Sequence, residues 1–292
     1  RAFIGGGASN CVTGDCAAVV GGSFNTGSGV FSFVGGGNNN VASGGCSTVG
    51  GGSGNKALGD FSVTGGGSSN CICTGARTTI AGGSNNLISN ATGNAGAYGV
   101  IGGGNANCII GPYGNTIAGG TNNTLSSYYS TIGGGRFNVA SADSATIAGG
   151  YKNLASSCCA TVAGGYFNTG SGQFSFVGGG YNNKASSVYS VIGGGIDNTS
   201  SGQAATVAGG RAHTASGTYD TVGGGYNNIA CGYASTISGG YANRVTGTEN
   251  AVVGGRTNTN SGYRSFIGGG QNNNVSGACA SIVGGYGNTA SA

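Results

Sequence analysis

Apolar and polar positions along this chain recur with a fixed period rather than in the blocks of a globular domain. A Gly-Gly-x-x-Asn motif anchors the register, with its last position at Asn10, Asn25, Asn40, Asn55 and Asn70 and then at Asn86, Asn107 and Asn123. It continues at Asn138, Asn153, Asn168, Asn183, Asn198, His213, Asn228, Asn243, Asn258, Asn273 and Asn288, nineteen occurrences in all. The step is 15 residues except for three consecutive intervals of 16, 21 and 16 between Asn70 and Asn123. A repeat of this length is one supersecondary unit that buries nothing alone and must stack on its neighbours.

Two short strands are predicted in each coil. From Asn183 the first half reads Asn183-Lys184-Ala185-Ser186-Ser187, and the second Ser190-Val191-Ile192-Gly193-Gly194. Strand side chains alternate between faces, so Asn183, Ala185, Ser190 and Ile192 are expected inside, with Lys184, Ser186 and Val191 outside. The prediction is an all-β, parallel β-solenoid of about nineteen 15-residue coils running through residues 1–292 as one domain, with a bulged insertion around 87–106. Coils about 4.8 Å apart would make it about 90 Å long. The inward asparagines, Asn10, Asn25, Asn40, Asn55, Asn70, Asn138, Asn153, Asn168, Asn183, Asn228 and Asn243 among them, are expected to form a ladder of amides bonded from coil to coil. Glycine supplies the corners, where positive φ or close backbone approach is needed.

Composition then narrows the choices. Glycine is 70 of 292 residues and charged residues are 5%, against about 25% in ordinary domains. One proline, Pro112, and no Gly-X-Y triplet exclude collagen. A net charge of +4 and regularly spaced apolar residues argue against disorder. No apolar run approaches the roughly twenty residues that span a bilayer. The chain opens on Arg1, as expected of a mature product or a piece of something longer.

Two families share these residues. Ala42-Ser43-Gly44-Gly45-Cys46-Ser47-Thr48-Val49-Gly50-Gly51 resembles the head repeats of trimeric autotransporter adhesins, which implies a left-handed β-roll and, for an adhesin or tail fibre, a parallel trimer that binds a receptor or glycan. Asn243-Arg244-Val245-Thr246-Gly247 and Asn273-Asn274-Val275-Ser276-Gly277 resemble half-turns of the ryegrass-type antifreeze β-roll, which implies ice binding.

Enzyme chemistry finds no support. His213, the one histidine, stands in the asparagine column and reads as a substituted ladder residue. Asp15, Asp60, Asp143, Asp197, Asp220 and Glu249 fall on different coils, so no catalytic or metal pair is expected and no cofactor. Basic residues are dispersed, which disfavours a nucleic-acid stripe. Cys16, Cys46, Cys159 and Cys279 share a column with Phe31, Phe61, Phe174, Tyr129, Tyr189 and Tyr219, where they read as apolar fillers. Same-column cysteines lie two or more coils apart, about 9.6 Å or further, beyond disulfide reach. Cys71 with Cys73, Cys158 with Cys159, and links between chains remain open. Ten cysteines fit an extracellular or surface location better than a reducing one.

The outward columns are candidates for packing or binding. Thr131, Thr146, Thr161, Thr206 and Thr221 share a column with Phe176 in a flat, weakly polar face, and Tyr151, Tyr166, Tyr181, Tyr226 and Tyr241 line a corner that suits a glycan, a second subunit or mutual stacking. At the ends, Phe3 and Ile4 begin mid-coil and Thr289 and Ala290 stop mid-coil, which points to strand addition between copies. The reading is a non-enzymatic, extracellular fibre or filament subunit whose partner is itself. The rivals are an adhesin or tail-fibre shaft, and an ice-binding protein, disfavoured by Phe in the Thr column and by Lys56, Lys184 and Arg244 opposite.

Overall fold

A computed structural model describes residues 1–89 and 98–291. It divides the chain into two compact units, Arg1–Gly150 and Tyr151–Ala292, and each is a parallel β-solenoid. Thirty-eight two-residue strands alternate between two sheets, two per coil, and no helix occurs among the described residues. In the first unit, the strand Phe33–Val34 pairs in register with Thr48–Val49 in sheet 1. Val41–Ala42 pairs with Lys56–Ala57 in sheet 2. In the second unit, Val191–Ile192 pairs with Thr206–Val207, and Lys184–Ala185 with Thr199–Ser200. The strands are shorter than the five-residue halves read from sequence, because each half ends in a turn.

Alternation sets the inside. Asn40, Ala42, Ser47 and Val49 are buried, and so are Asn183, Ala185, Ser190 and Ile192, whereas Lys184 is exposed. Val19, Val34, Ala42, Val49 and Ala57 form one core cluster with Val12 packed against it. Full burial of a valine-sized side chain contributes about 1.5–3 kcal/mol, and each coil adds one or two such residues.

The three longer coils share one inward residue type. The three intervals that depart from 15 begin at Asn70, Asn86 and Asn107, and two residues beyond these stand Ile72, Ile88 and Ile109, all fully buried. Most other coils carry alanine or glycine there, as Ala42, Ala57 and Ala140 do. The added residues lie between the sheet-2 and sheet-1 strands of those coils, while Leu125, equally buried, fits a coil of 15. Register survives even the interval of 21: Thr79 pairs with Val100 and Leu87 with Cys108. The inner part of the expected insertion, residues 90–97 with Asn90, lies outside the described residues.

The corners differ from expectation in two ways. A third ladder of single bridges runs along one corner, Ser23 to Asn38 to Ser53 in the first unit and Tyr151 to Tyr166 to Tyr181 in the second. The left-handed conformation is also spread over two columns of non-glycine residues, the one before the anchor (Asn39, φ 55) and the one before the inward serine (Cys46, φ 54). Glycine is obligatory elsewhere. At Gly37 φ is +91, and a Cβ would stand 2.1 Å from the Gly52 carbonyl oxygen of the next coil.

Glycine in a strand has the opposite meaning. Gly27 replaces the usual inward alanine, and a Cβ there would meet Ser32 Oγ and Val19 Cγ2 at 3.5 Å, ordinary contact. Gly27→Ala is therefore expected to stabilise the first unit by about 0.4–1 kcal/mol, whereas strain alone at Gly37→Ala costs about 1–3 kcal/mol. Thermal melts of the two variants beside the parent protein check the opposite signs.

Candidate interaction surfaces

The asparagine column makes the densest polar network. Asn40 Nδ2 donates to the Gly36 carbonyl of its own coil and the Gly52 carbonyl of the next, both at 2.9 Å. Asn40 Oδ1 accepts the Asn55 backbone N–H at 2.9 Å, and Asn40 N–H donates to Asn25 Oδ1 at 3.0 Å. Both amide hydrogens and the carbonyl are thus used inside the protein, leaving nothing for a ligand. The pattern repeats at Asn168, Asn183 and Asn243.

His213 fills one rung of this column. Its N–H donates to Asn198 Oδ1 at 2.9 Å, and its Nδ1 accepts the Asn228 N–H at 3.0 Å. Nε2 is buried without a hydrogen bond of good geometry. Burial lowers the imidazole pKa, against the weaker pull of the nearby Gly225 carbonyl. In the same coil Asp220 occupies the inward serine column, fully buried, with Oδ1 accepting the Ser235 N–H at 2.9 Å and Oδ2 the Gly217 N–H at 3.0 Å. Desolvation raises its pKa, although these N–H groups act in the other direction. Among the described residues no three metal-ligating side chains come together.

The outer face of sheet 1 carries the threonine column. Thr131 pairs with Thr146 in the first unit, and Phe176 follows Thr161 in the second. Thr206, Thr221 and Thr236 make a run of three. From Phe3 to Ser281 neither this column nor the Gly/Ala/Ser/Val column two residues on contains a charged residue. The next column, Gly6 to Gly284, is glycine in all nineteen coils. A Cβ at Gly66, Gly119 or Gly134 would meet nothing within 4 Å, and φ there lies outside the left-handed range. Neither space nor conformation within the chain requires glycine at these positions.

The tyrosine corner belongs to the second unit. Tyr226 and Tyr241 stack with centroids 5.3 Å apart and planes 18° from parallel. Arg211 lies 5.8 Å from the Tyr226 ring centroid and Arg256 5.1 Å from that of Tyr241. Tyr151 meets Tyr166 at 5.3 Å and Phe167 edge-on at 5.8 Å, and Phe167 meets Tyr181 edge-on at 6.0 Å. Stacking covers part of the ring faces, while Tyr166, Tyr181, Tyr226 and Tyr241 remain exposed. That arrangement removes part of the flat platform on which a sugar ring would lie.

Two cysteine placements depart from or resolve the sequence reading. Cys16, Cys46 and Cys279 are exposed with Phe31 and Phe61 at turn tips rather than acting as fillers of a core. Cys71 and Cys73 form a disulfide on the outer face of sheet 2, and Cys158 and Cys159 bring their sulfurs to 3.0 Å. Phe3 and Ile4 pair with Ala18 and Val19, and Thr289 and Ala290 with Asn274 and Val275, continuing the ladders of their units. The left-handed turn columns and the corner ladder are what sequence reasoning missed. The recurrent asparagine before the anchor, at Asn39, Asn85, Asn122, Asn182, Asn227 and Asn272, is the available signal, since asparagine tolerates positive φ best after glycine.

No protein-family model matches the chain, and no curated protein matches it in sequence. The structure is a parallel β-solenoid with about nineteen coils, consistent with β-roll repeats.

The two ionisable core residues generate opposite pH dependences. Below about pH 6.5 the unfolded chain protonates its histidine, while folded His213 resists, so its contribution to stability is lost as pH falls. Folded Asp220 holds its proton more tightly than the unfolded chain does. It therefore costs stability at neutral pH, and the cost shrinks as pH falls through its raised pKa. His213→Asn, which restores the column's amide, is expected to raise the melting temperature and remove the loss between pH 7 and 5. Asp220→Asn, with Asn250 as precedent in that column, should raise it most at pH 7. Melting curves across that pH range separate the two.

Proposed function

We propose that this chain is a non-enzymatic structural subunit, extracellular or surface-located, that assembles side by side through the outer face of sheet 1. The observation that carries the reading is the glycine column from Gly6 to Gly284. It is invariant through nineteen coils, yet a Cβ is sterically free at Gly66, Gly119 and Gly134. Backbone conformation accounts for glycine at Gly6, Gly36, Gly164 and Gly179, but where neither space nor conformation asks for it, a bare backbone suits close approach by another surface. The neighbouring columns carry no charge to be desolvated, and exposed Phe33, Val63, Phe176 and Phe266 supply apolar contact. The Cys71–Cys73 disulfide fits an oxidising location.

The adhesin or tail-fibre reading rests on the tyrosine corner, whose exposed tyrosines and neighbouring arginines offer contacts to a glycan or receptor. Ice binding needs a long, regular array, and the threonine run of the second unit stops after Thr206, Thr221 and Thr236 at Ala251. Electron microscopy at micromolar concentration is expected to show lateral bundles. Gly119→Val with Gly134→Val should leave the melting temperature nearly unchanged and disperse the bundles. Single particles from the parent protein would overturn the proposal and favour the adhesin reading, or ice binding if the same sample shapes ice crystals.

A further inference from the structure

In the first unit the turn tips between the sheet-2 and sheet-1 strands carry Cys16, Phe31, Cys46 and Phe61 on successive coils. All four are exposed, Phe31 by 61%, and Cys16 and Cys46 are free thiols. Each tip is tied to the one before it: Phe31 N–H donates to the Asp15 carbonyl, Cys46 N–H to that of Val30 and Phe61 N–H to that of Gly45, at 2.7–2.8 Å. The four side chains therefore form an ordered row at the coil spacing.

Cys16 and Cys46 cannot reach one another. Two coils separate them by about 9.6 Å, and a disulfide needs Cα atoms within about 7 Å. Elsewhere in the first unit Cys71 and Cys73 are joined in a disulfide. Val30, also exposed, adds apolar surface beside Phe31.

We propose that a second copy of this chain docks antiparallel across the row, with the two-fold axis at Phe31. Cys16 then joins Cys46 of the second copy, and Cys46 joins its Cys16. The sequence Cys-Phe-Cys maps onto itself under that rotation, as an isologous interface requires. In this register Val30 faces its own copy, Asp15 faces Gly45 and Arg1 faces Phe61. Centring the axis on Cys46 instead would pair Phe31 with Phe61 and Cys16 with Arg77, and would allow at most one bridge, Cys46 to its own copy.

Bridge formation is thiol–disulfide exchange with a low-molecular-weight disulfide. The Cys16 thiolate attacks one sulfur of that reagent, forming a mixed disulfide and expelling one thiolate. The Cys46 thiolate of the second copy attacks the Cys16 sulfur and expels the other. Each bridge thus gives up two thiol protons and two electrons, and reduces one reagent disulfide to two thiols. The pairing uses turn tips and does not depend on packing through sheet 1.

The test takes the full chain with Cys11→Ser and Cys279→Ser, incubated with oxidised glutathione at micromolar concentration. Non-reducing gels and mass spectrometry of the linked peptides are then read together. A covalent dimer joined through Cys16–Cys46 peptides is expected. Adding either Cys16→Ser or Cys46→Ser should abolish it, because each bridge needs one of each. Phe31→Asp should lower dimer yield at least about tenfold, as loss of a central aromatic anchor does, with the circular dichroism of the monomer unchanged. The Gly119→Val, Gly134→Val chain should dimerise like its parent, so this inference and the lateral-packing reading fail separately. Dimers joined Cys16–Cys16 and Cys46–Cys46 that survive either single substitution would overturn it in favour of parallel pairing. Absence of any dimer through these two residues would also overturn it.

Discussion

One carboxamide per coil holds the register on which everything else depends. A buried asparagine costs several kcal/mol if its polar atoms go unpaired. Here each is satisfied by a carbonyl in its own coil, a carbonyl in the next and a backbone N–H, as at Asn40 and Asn183. No other side chain of that size offers two donors and an acceptor at the required angles. His213 illustrates the constraint: its Nδ1 replaces the acceptor, but the ring leaves Nε2 without a partner. Slipping one residue would break all of these bonds at once and turn the Val/Ile column to solvent.

The core built around that column is thin, and its dimensions are set locally. Where the inward alanine becomes Ile72, Ile88 or Ile109, the coil lengthens. Where it becomes Gly27 or Gly170, the coil keeps its length, with Val19 or Val162 beside the bare position. A solenoid tolerates both because each coil answers only to its neighbours. Asp220 and His213 share one coil, so the electrostatic weakness of the second unit is confined to one place rather than spread.

Much of this was legible in the sequence because a strand's period of two and a repeat of fifteen leave few ways to assign inside and outside. Asn183, Ala185, Ser190 and Ile192 could be placed inward, and the faces followed. The corners were not legible. Left-handed turns at Cys46, Phe31 or Tyr189 use residues that rarely adopt positive φ, so local preference points the wrong way and the stacked neighbours decide. The exposure of the Cys16–Phe31–Cys46 row was missed for the same reason, since cysteine and phenylalanine ordinarily read as core. The tyrosine corner was recognised as a column, but that its rings would cover each other's faces depends on side-chain torsions that spacing does not reveal.

The identity of successive interfaces has a genetic consequence. Cutting out residues 40–54 would place Asn55 above Asn25, where the Gly36 carbonyl and Asn25 Oδ1 await it and Lys56–Ala57 would meet Thr26–Gly27. Unequal recombination between repeats of the gene can therefore shorten or extend the protein by whole coils without any compensating change. Coil number is then close to neutral for folding. Natural variants should differ in length by multiples of fifteen residues far more readily than in the spacing between one asparagine and the next.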